Sequence, residues 1–243
     1  METLTKNTSG PIAHAASLKE NFPDISLYEI REIKETVCSK EIPLFSPLLT
    51  RSNFILKRSL DITLSLFLII FVLSWLTPLL AILIKLDSQG PVFFRQRRNK
   101  NRGRVFTCIK FRTMIVNSDA DVLSACENDK RITMLGGFLR KHHIDELPQL
   151  FNVIAGDMSI IGPRPHMVSE NSTFENIIDE YARRHTILPG ITGLAQSYGN
   201  FGATNDIEKV KQRVKLDLYY IRKWSLIMDL KILVRTGRLM LGL

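Results

Sequence analysis

The chain has 243 residues, of which 45% are hydrophobic, and carries a formal net charge of +9. That length can bury one core, or a core plus a membrane segment and a tail, and the charge suits a polyanion, an anionic membrane surface or a phosphorylated substrate. The cysteines, Cys38, Cys108 and Cys126, are odd in number and widely spaced, which excludes a C-x-x-C zinc or redox pair and reads as reduced thiols.

Residues 1–50 are polar to mixed, with Pro11, Pro23, Pro43 and Pro47 interrupting any long period and a short helical pattern over Leu27–Val37. They are expected to form a partly ordered extension, without the pattern of a secretory signal. Residues 51–88 form the second unit. Its run from Ile62 to Ile84 holds no charge, and at ~1.5 Å per residue it is long enough to cross roughly 30 Å of hydrocarbon. Pro78 predicts a kink inside the run, with the Ser74 and Thr77 hydroxyls as partners for freed backbone groups. Arg51, Lys57 and Arg58 precede the run; Lys85 and the cluster from Arg95 follow it. Basic residues on both flanks favour one side of the membrane for both, as in a re-entrant hairpin, yet a straight span also fits the residues.

Residues 89–243 read as a mixed domain. Gly90-Pro91 marks a turn, Val92–Phe94 and Val105–Phe111 are strand-like, Asp119–Cys126 is weakly helical, and Ile132–Arg140 suits a short helix or loop. A helix is expected from about Asp145 to Ala155, with Pro148 in its first turn and Gly156 ending it. A second is expected over Ser172–His185, and a third from about Glu208 to Met240 with an apolar stripe and a basic face. Tyr219, Tyr220 and Trp224 there suggest a helix lying partly on the membrane surface, or one packed on the core.

The adjacent acids Asp145 and Glu146 carry the strongest chemical signal. A carboxylate at a helix start can simply cap the helix. Among the cations Arg140, Lys141 and Arg164, an ionised aspartate can also attack phosphorus, with the second acid on Mg²⁺. Lys110 and Arg112 alternate with Ile109 and Phe111, so both face one way and suit a pyrophosphate or plain surface charge. The stretch Arg95 to Arg104 reads first as a solvated loop against anionic lipid, and it lacks the aromatics or groove-reading motif of a nucleic-acid binder. Gly162-Pro163-Arg164-Pro165 fixes the backbone around one arginine, Pro189-Gly190-Ile191-Thr192-Gly193 is a tight turn, and Asp217 by itself is a solvated acid. A membrane-tethered, non-catalytic polyanion-binding or scaffold protein is the alternative reading.

Taken in order, several motifs converge: Lys57-Arg58-x-x-Asp61, Gly90-Pro91-Val92-Phe93-Phe94-Arg95-Gln96, Lys110-Phe111-Arg112-Thr113-Met114, Asp145-Glu146-Leu147-Pro148-Gln149-Leu150, Gly156-Asp157-Met158-Ser159, Gly162-Pro163-Arg164-Pro165, Asp217-Leu218-Tyr219-Tyr220 and Trp224-Ser225. Over about residues 52–241 the chain resembles the bacterial sugar transferases, monotopic polyprenyl-phosphate sugar-1-phosphate transferases. The resemblance implies an α+β, mostly helical fold: a re-entrant membrane hairpin bent at Thr77-Pro78 and a small cytoplasmic catalytic domain with amphipathic interfacial helices, held at the bacterial inner membrane. It implies transfer of a sugar 1-phosphate from a UDP-sugar to undecaprenyl phosphate, with release of UMP and with downstream glycosyltransferases as potential partners. Carried over, Asp145 is the nucleophile, Glu146 helps bind Mg²⁺, Lys110 and Arg140 steady phosphates, Arg164 meets the nucleotide, and Arg112 and Asp217 count among the substrate-binding residues. His166, Asn171 and Arg183-Arg184-His185 are similar to the branch that handles glucose 1-phosphate, so UDP-glucose is expected first and UDP-galactose second. The chain departs from the family at loop 97–103 and at His142-His143, where Thr-Ser is common.

Overall fold

The structure, a computed structural model, describes residues 45–116, 129–199 and 206–242, with Ser26, Ile30, Glu32 and Ile33. The expected helices at Leu27–Val37 and Asp119–Cys126 lie outside the described residues, apart from the helical Ile30, Glu32 and Ile33.

Helix α1 (Arg51–Leu68) runs through a π turn at Ile69–Leu73 into α2 (Ser74–Asp87). The combined stretch is long and apolar enough to cross a membrane. Pro78 has no N–H to offer the carbonyl one turn earlier, and the helical ladder widens just ahead of it. There Ser74 Oγ donates to the Ile70 carbonyl (2.5 Å) and Trp75 Nε1 to that of Phe71 (2.9 Å). The irregular turn thus precedes Thr77 and Pro78, which sit inside α2, and the hydroxyl serving the backbone is that of Ser74.

Both ends of this apolar element are fastened to the remainder of the chain. In α1, Lys57 Nζ donates to Asp229 (2.9 Å), Arg58 donates to the carbonyls of Met158 (3.0 Å) and Val153, and Asp61 accepts from Ser159 Oγ (2.6 Å) and Ile160 N–H (3.1 Å). At the other end, Leu73, Leu80 and Ile84 are buried with Phe111, Leu139 and Leu150. Their outward neighbours Phe67, Phe71, Trp75, Leu79 and Ile82 are exposed.

Strands β1 (Phe93–Asn99) and β2 (Val105–Phe111) form an antiparallel hairpin in which Gln96 faces Cys108. Phe106 and Cys108 point inward, so the period-two rule sends Lys110 to the same side. After Thr133 caps its first turn, α3 (Met134–Lys141) lies so close to Thr113 that a Cβ on Gly136 would stand 2.1 Å from the Thr113 carbonyl oxygen. Only glycine fits there. A 3₁₀ turn (Ile144–Glu146) leads to α4 (Gln149–Ala155), which Gly156 ends at φ 85°, the left-handed geometry that glycine tolerates best.

The short strands β3 (Ser159–Ile161) and β4 (Gly190–Thr192) pair in parallel, on either side of α5 (Val168–Ile177) and a 3₁₀ turn at Tyr181–Thr186. The one-turn α6 (Leu194–Ser197) precedes α7 (Ile207–Lys223) and α8 (Leu226–Leu241). The main core gathers Phe106, Val153, Met158, Val214, Leu218 and Ile232.

The fold is therefore α+β and mostly helical, as expected, but several elements differ from the sequence reading. The expected helix Ser172–His185 is two pieces, parted at Glu180, whose φ is 65°. The expected helix Glu208–Met240 is also two, because Ser225 accepts the Met228 N–H and caps a new start while Trp224 leaves helical geometry. Of the two readings of Tyr219, Tyr220 and Trp224, on the membrane surface or packed on the core, the second holds, since all three are buried. Trp224 Nε1 and the Tyr220 hydroxyl donate to Asp229, at 3.0 Å and 2.8 Å. The exposed apolar stripe lies instead on α8, at Ile227, Leu230 and Val234.

Candidate active site

The acid pair stands in the 3₁₀ turn before α4, one element earlier than the helix cap expected for Asp145; Pro148 occupies that cap position. His143 opens the turn at φ 54°, a left-handed backbone that redirects the chain after α3, and the His142 ring packs on Phe138 at 4.7 Å between centroids. Asn152 then fixes α4 to the hairpin: its Oδ1 accepts the Ile109 N–H (3.0 Å) and its Nδ2 donates to the Thr107 carbonyl (2.8 Å). One side chain thus continues the strand's hydrogen-bond ladder and sets the acids against β2.

Lys110 Nζ donates to Glu146 Oε1 at 2.6 Å, while Arg164 donates to Oε1 at 2.7 Å and Oε2 at 3.1 Å. The arginine contact is a two-pronged, charge-assisted pair. Burial would push the Glu146 carboxyl up, but Arg164 and Lys110 outweigh it and hold the carboxyl well below its ordinary value. Asp145 behaves in the opposite way. Burial, reinforced by the neighbouring Glu146 charge, outweighs the pull of Lys110, Arg140 and Arg164 and raises it from 3.8 to about 6. The site therefore pairs a carboxylate fixed as an anion with one that ionises near neutrality. Arg140 joins it from α3, its Nε donating to Thr113 Oγ1 at 2.7 Å.

Two expected substrate residues lie elsewhere. The guanidinium of Arg112 is spent on the carbonyls of Ile84 (3.3 Å), Ser88 (2.6 Å) and Gln89, where it closes the end of α2. β2 stops at Phe111, so strand alternation no longer governs Arg112. Asp217 is a buried partner of Arg184 at 2.6 Å, not a solvated acid. Arg184 also donates to the backbone carbonyl of Arg164 (2.8 Å) and contacts His166 Nδ1 (2.9 Å). His166 in turn meets the Tyr181 hydroxyl (2.6 Å), which donates to Asn171 Oδ1 (2.5 Å). Burial, with Arg184 alongside, holds His166 well below its ordinary value, so it is neutral near pH 7. Asp217 thus stands behind Arg164 and acts on it through Arg184. From the other side, Arg98 donates to Gln96 Oε1 (2.7 Å) and to the Pro165 carbonyl, so this member of the expected solvated loop braces the arginine segment.

Nothing in the sequence marks Asn152 or Asp229, Arg98 reads there only as part of a lipid-facing basic loop, and Arg184 enters only within a resemblance. Each makes at least one contact with a residue far along the chain, Asn152 with Ile109, Arg98 with Pro165, Asp229 with Lys57 and Arg184 with Asp217, and no local pattern marks such a contact.

Among the described residues no group of three or more His, Cys, Asp and Glu side chains could hold a metal ion. Mg²⁺ asks for less, since one or two carboxylates suffice when water and substrate phosphate supply the other oxygens. Glu146 Oε2 accepts a single hydrogen bond here and a carboxylate oxygen has two lone pairs, so Glu146 fits a phosphate-bound Mg²⁺.

The sequence profile described as bacterial sugar transferase matches residues 52–242. The UDP-glucose:undecaprenyl-phosphate glucose-1-phosphate transferase of Klebsiella pneumoniae is 40% identical over 97% of this chain and 51% of its own length. That of Escherichia coli K12 is 42% identical over 88% of this chain and 47% of its own. The UDP-N-acetylgalactosamine-undecaprenyl-phosphate N-acetylgalactosaminephosphotransferase of Aeromonas hydrophila is 39% identical over 89% and 52%. The chain thus spans about half the length of these relatives. A match across residues 52–242, reaching from the apolar helix through the acid pair to α8, means that the chain belongs to the bacterial sugar transferase family.

Proposed function

We propose that the protein transfers glucose 1-phosphate from UDP-glucose to undecaprenyl phosphate, releasing UMP, as the first step of exopolysaccharide or other surface-glycan synthesis. The observation that carries the reading is the division of labour in the acid pair: Glu146 is fixed as an anion by Lys110 and Arg164, and Asp145 ionises near neutrality. UDP-galactose is the second substrate to test, and the Aeromonas relative's name adds a UDP-N-acetylhexosamine.

In the proposed reaction an Asp145 carboxylate oxygen attacks the phosphorus next to the sugar. A P–O bond forms to Asp145, the bond to UMP breaks, and UMP leaves with that electron pair. A phosphate oxygen of undecaprenyl phosphate then attacks the same phosphorus, giving the lipid diphosphate sugar and returning the carboxylate. Lys110, Arg140 and Arg164 offset the charge on the transferring phosphoryl group. Glu146 would help hold Mg²⁺, which when bound neutralises phosphate charge and aligns the diphosphate.

The membrane arrangement belongs to the same proposal. A straight helix over Arg51–Asp87 would be about 55 Å long, yet Lys57 and Arg58 at one end and Ile84 to Gln89 at the other bond to one and the same domain. A re-entrant hairpin of residues 51–88, entering and leaving the inner membrane on the cytoplasmic face, accounts for both anchors, with residues 89–243 as the catalytic domain. The exposed Ile227, Leu230 and Val234 of α8 suit an interfacial helix.

An assay of UMP release over a panel of UDP-sugars, with undecaprenyl phosphate and Mg²⁺, tests the reading. UDP-glucose is expected to give the highest rate, and Asp145→Asn or chelation of Mg²⁺ to stop it. Unchanged UMP release from Asp145→Asn removes the nucleophile assignment.

A further inference from the structure

A cavity of about 390 Å³ opens beside the first turns of α1, where Arg58 reaches the far end of α4 from the acid pair. Arg51, Lys57, Arg58, Arg102 and Arg104 line it against one acid, Asp61. Two of those cations are committed: Lys57 to Asp229, and Arg58 to backbone carbonyls. Asp61 is committed as well, to Ser159 and Ile160. Arg51, Arg102 and Arg104 remain exposed at the cavity, and the structure gives none of them an acidic partner among the described residues. Three guanidinium groups gathered on one concave wall repel one another unless an anion joins them.

The rest of the lining says what kind of anion. Leu48, Leu49, Phe54, Ile187 and Leu188 give the cavity an apolar side, of which Leu49 and Phe54 are exposed. Asp61, in the lining, is the last ionisable residue before the uncharged run begins at Ile62. A free phosphate would use the arginines and leave the apolar wall wet, whereas a lipid uses both. The first turn of α1 adds to the attraction, since it holds no acidic side chain and Thr50 makes no side-chain cap.

We propose that this cavity binds the phosphate headgroup of an anionic membrane phospholipid, with an acyl chain against its apolar side, at a site separate from the acid pair. The inference rests on the membrane arrangement above and not on the transferase chemistry, so lipid binding is measured without UDP-sugar.

The test uses the full chain in zwitterionic detergent, titrated with fluorescent phosphatidylglycerol. The native protein should bind one lipid per chain saturably. The triple variant Arg51→Gln/Arg102→Gln/Arg104→Gln should bind roughly a hundredfold more weakly. The triple Arg→Lys variant, which keeps the charge, should recover most of the affinity. A control with the same charge loss at exposed positions elsewhere, Lys85→Gln/Arg95→Gln/Arg97→Gln, should stay within about twofold of the native protein. Equal weakening in both triple Gln variants would mean diffuse surface charge and would overturn the site. Competition by glycerol 1-phosphate at concentrations equal to the lipid's would also overturn it, because the apolar wall would then contribute nothing.

Discussion

Two buried carboxylate–cation centres lie on either side of Arg164, and they are built for different tasks. At Glu146, two cations converge on one carboxylate while a second acid, Asp145, stands next to it with its pKa raised to about 6. At Asp217, a single acid meets Arg184, which also holds the Arg164 carbonyl, and both side chains are almost wholly shielded from water. The first centre holds a carboxyl that changes charge near pH 6. The second has no neighbouring acid to ionise and serves to fix a loop. Burial and ion pairing alone therefore do not mark a reactive centre; a second carboxylate denied a matching cation does.

Among changes to the cations and the paired acid around Arg164, cutting the link between the centres should have the largest effect. Arg164→Ala frees Glu146 from its two-pronged partner and is expected to lower UMP release by about 10²-fold or more. Arg164→Lys should recover only part of it, since an ammonium cannot make the two-pronged contact. Equal rates for Lys and Arg would mean that charge alone matters there.

Next in size is Asp217→Asn, which leaves Arg184 as a buried cation without its acid. Unfolding in detergent should show a loss of about 3–5 kcal/mol, with UMP release reduced through a misplaced Arg164. Full activity in a protein that has lost this stability would separate Asp217 from the reaction altogether.

The smallest expected effect is on pH dependence, and it sets Asp145 apart from Glu146, the acid held by two cations. Because burial raises its pKa, the folded state holds the Asp145 proton more tightly than the unfolded chain does. The stability this gives is present below pH 3.8 and is lost as pH rises through about 6. Asp145→Asn should then be more stable than the native protein above pH 6, by at most about 3 kcal/mol. The same ionisation should appear as an acid limb near pH 6 in kcat/KM, belonging to the pair as a whole. A native protein flat in both measurements from pH 5 to 8 would contradict the raised carboxyl.

Much of this comparison was legible in the sequence, though unevenly. Strand β2 matches its expected range, Gly156 stops α4 as its position implied, and the co-occurring motifs brought forward Lys110, Glu146 and Arg164, which the fold gathers. Three-residue parallel strands such as β3 and β4 leave too short a period to detect. The break at Trp224-Ser225 was hidden because the apolar spacing continues across it, and only Ser225 hinted at a new helix start. Arg184–Asp217 and Lys57–Asp229 join residues far apart in the chain, where neither periodicity nor composition carries a signal. Arg112 misled because it follows the alternation of a strand that has already ended.

The most direct measurement is the mass of the full chain after incubation with UDP-glucose and Mg²⁺ without undecaprenyl phosphate. One added hexose phosphate is expected on the peptide that contains Asp145, absent in Asp145→Asn and removed when undecaprenyl phosphate is supplied. An unmodified chain that releases UMP only when the lipid is present would show direct transfer between substrates and contradict the account.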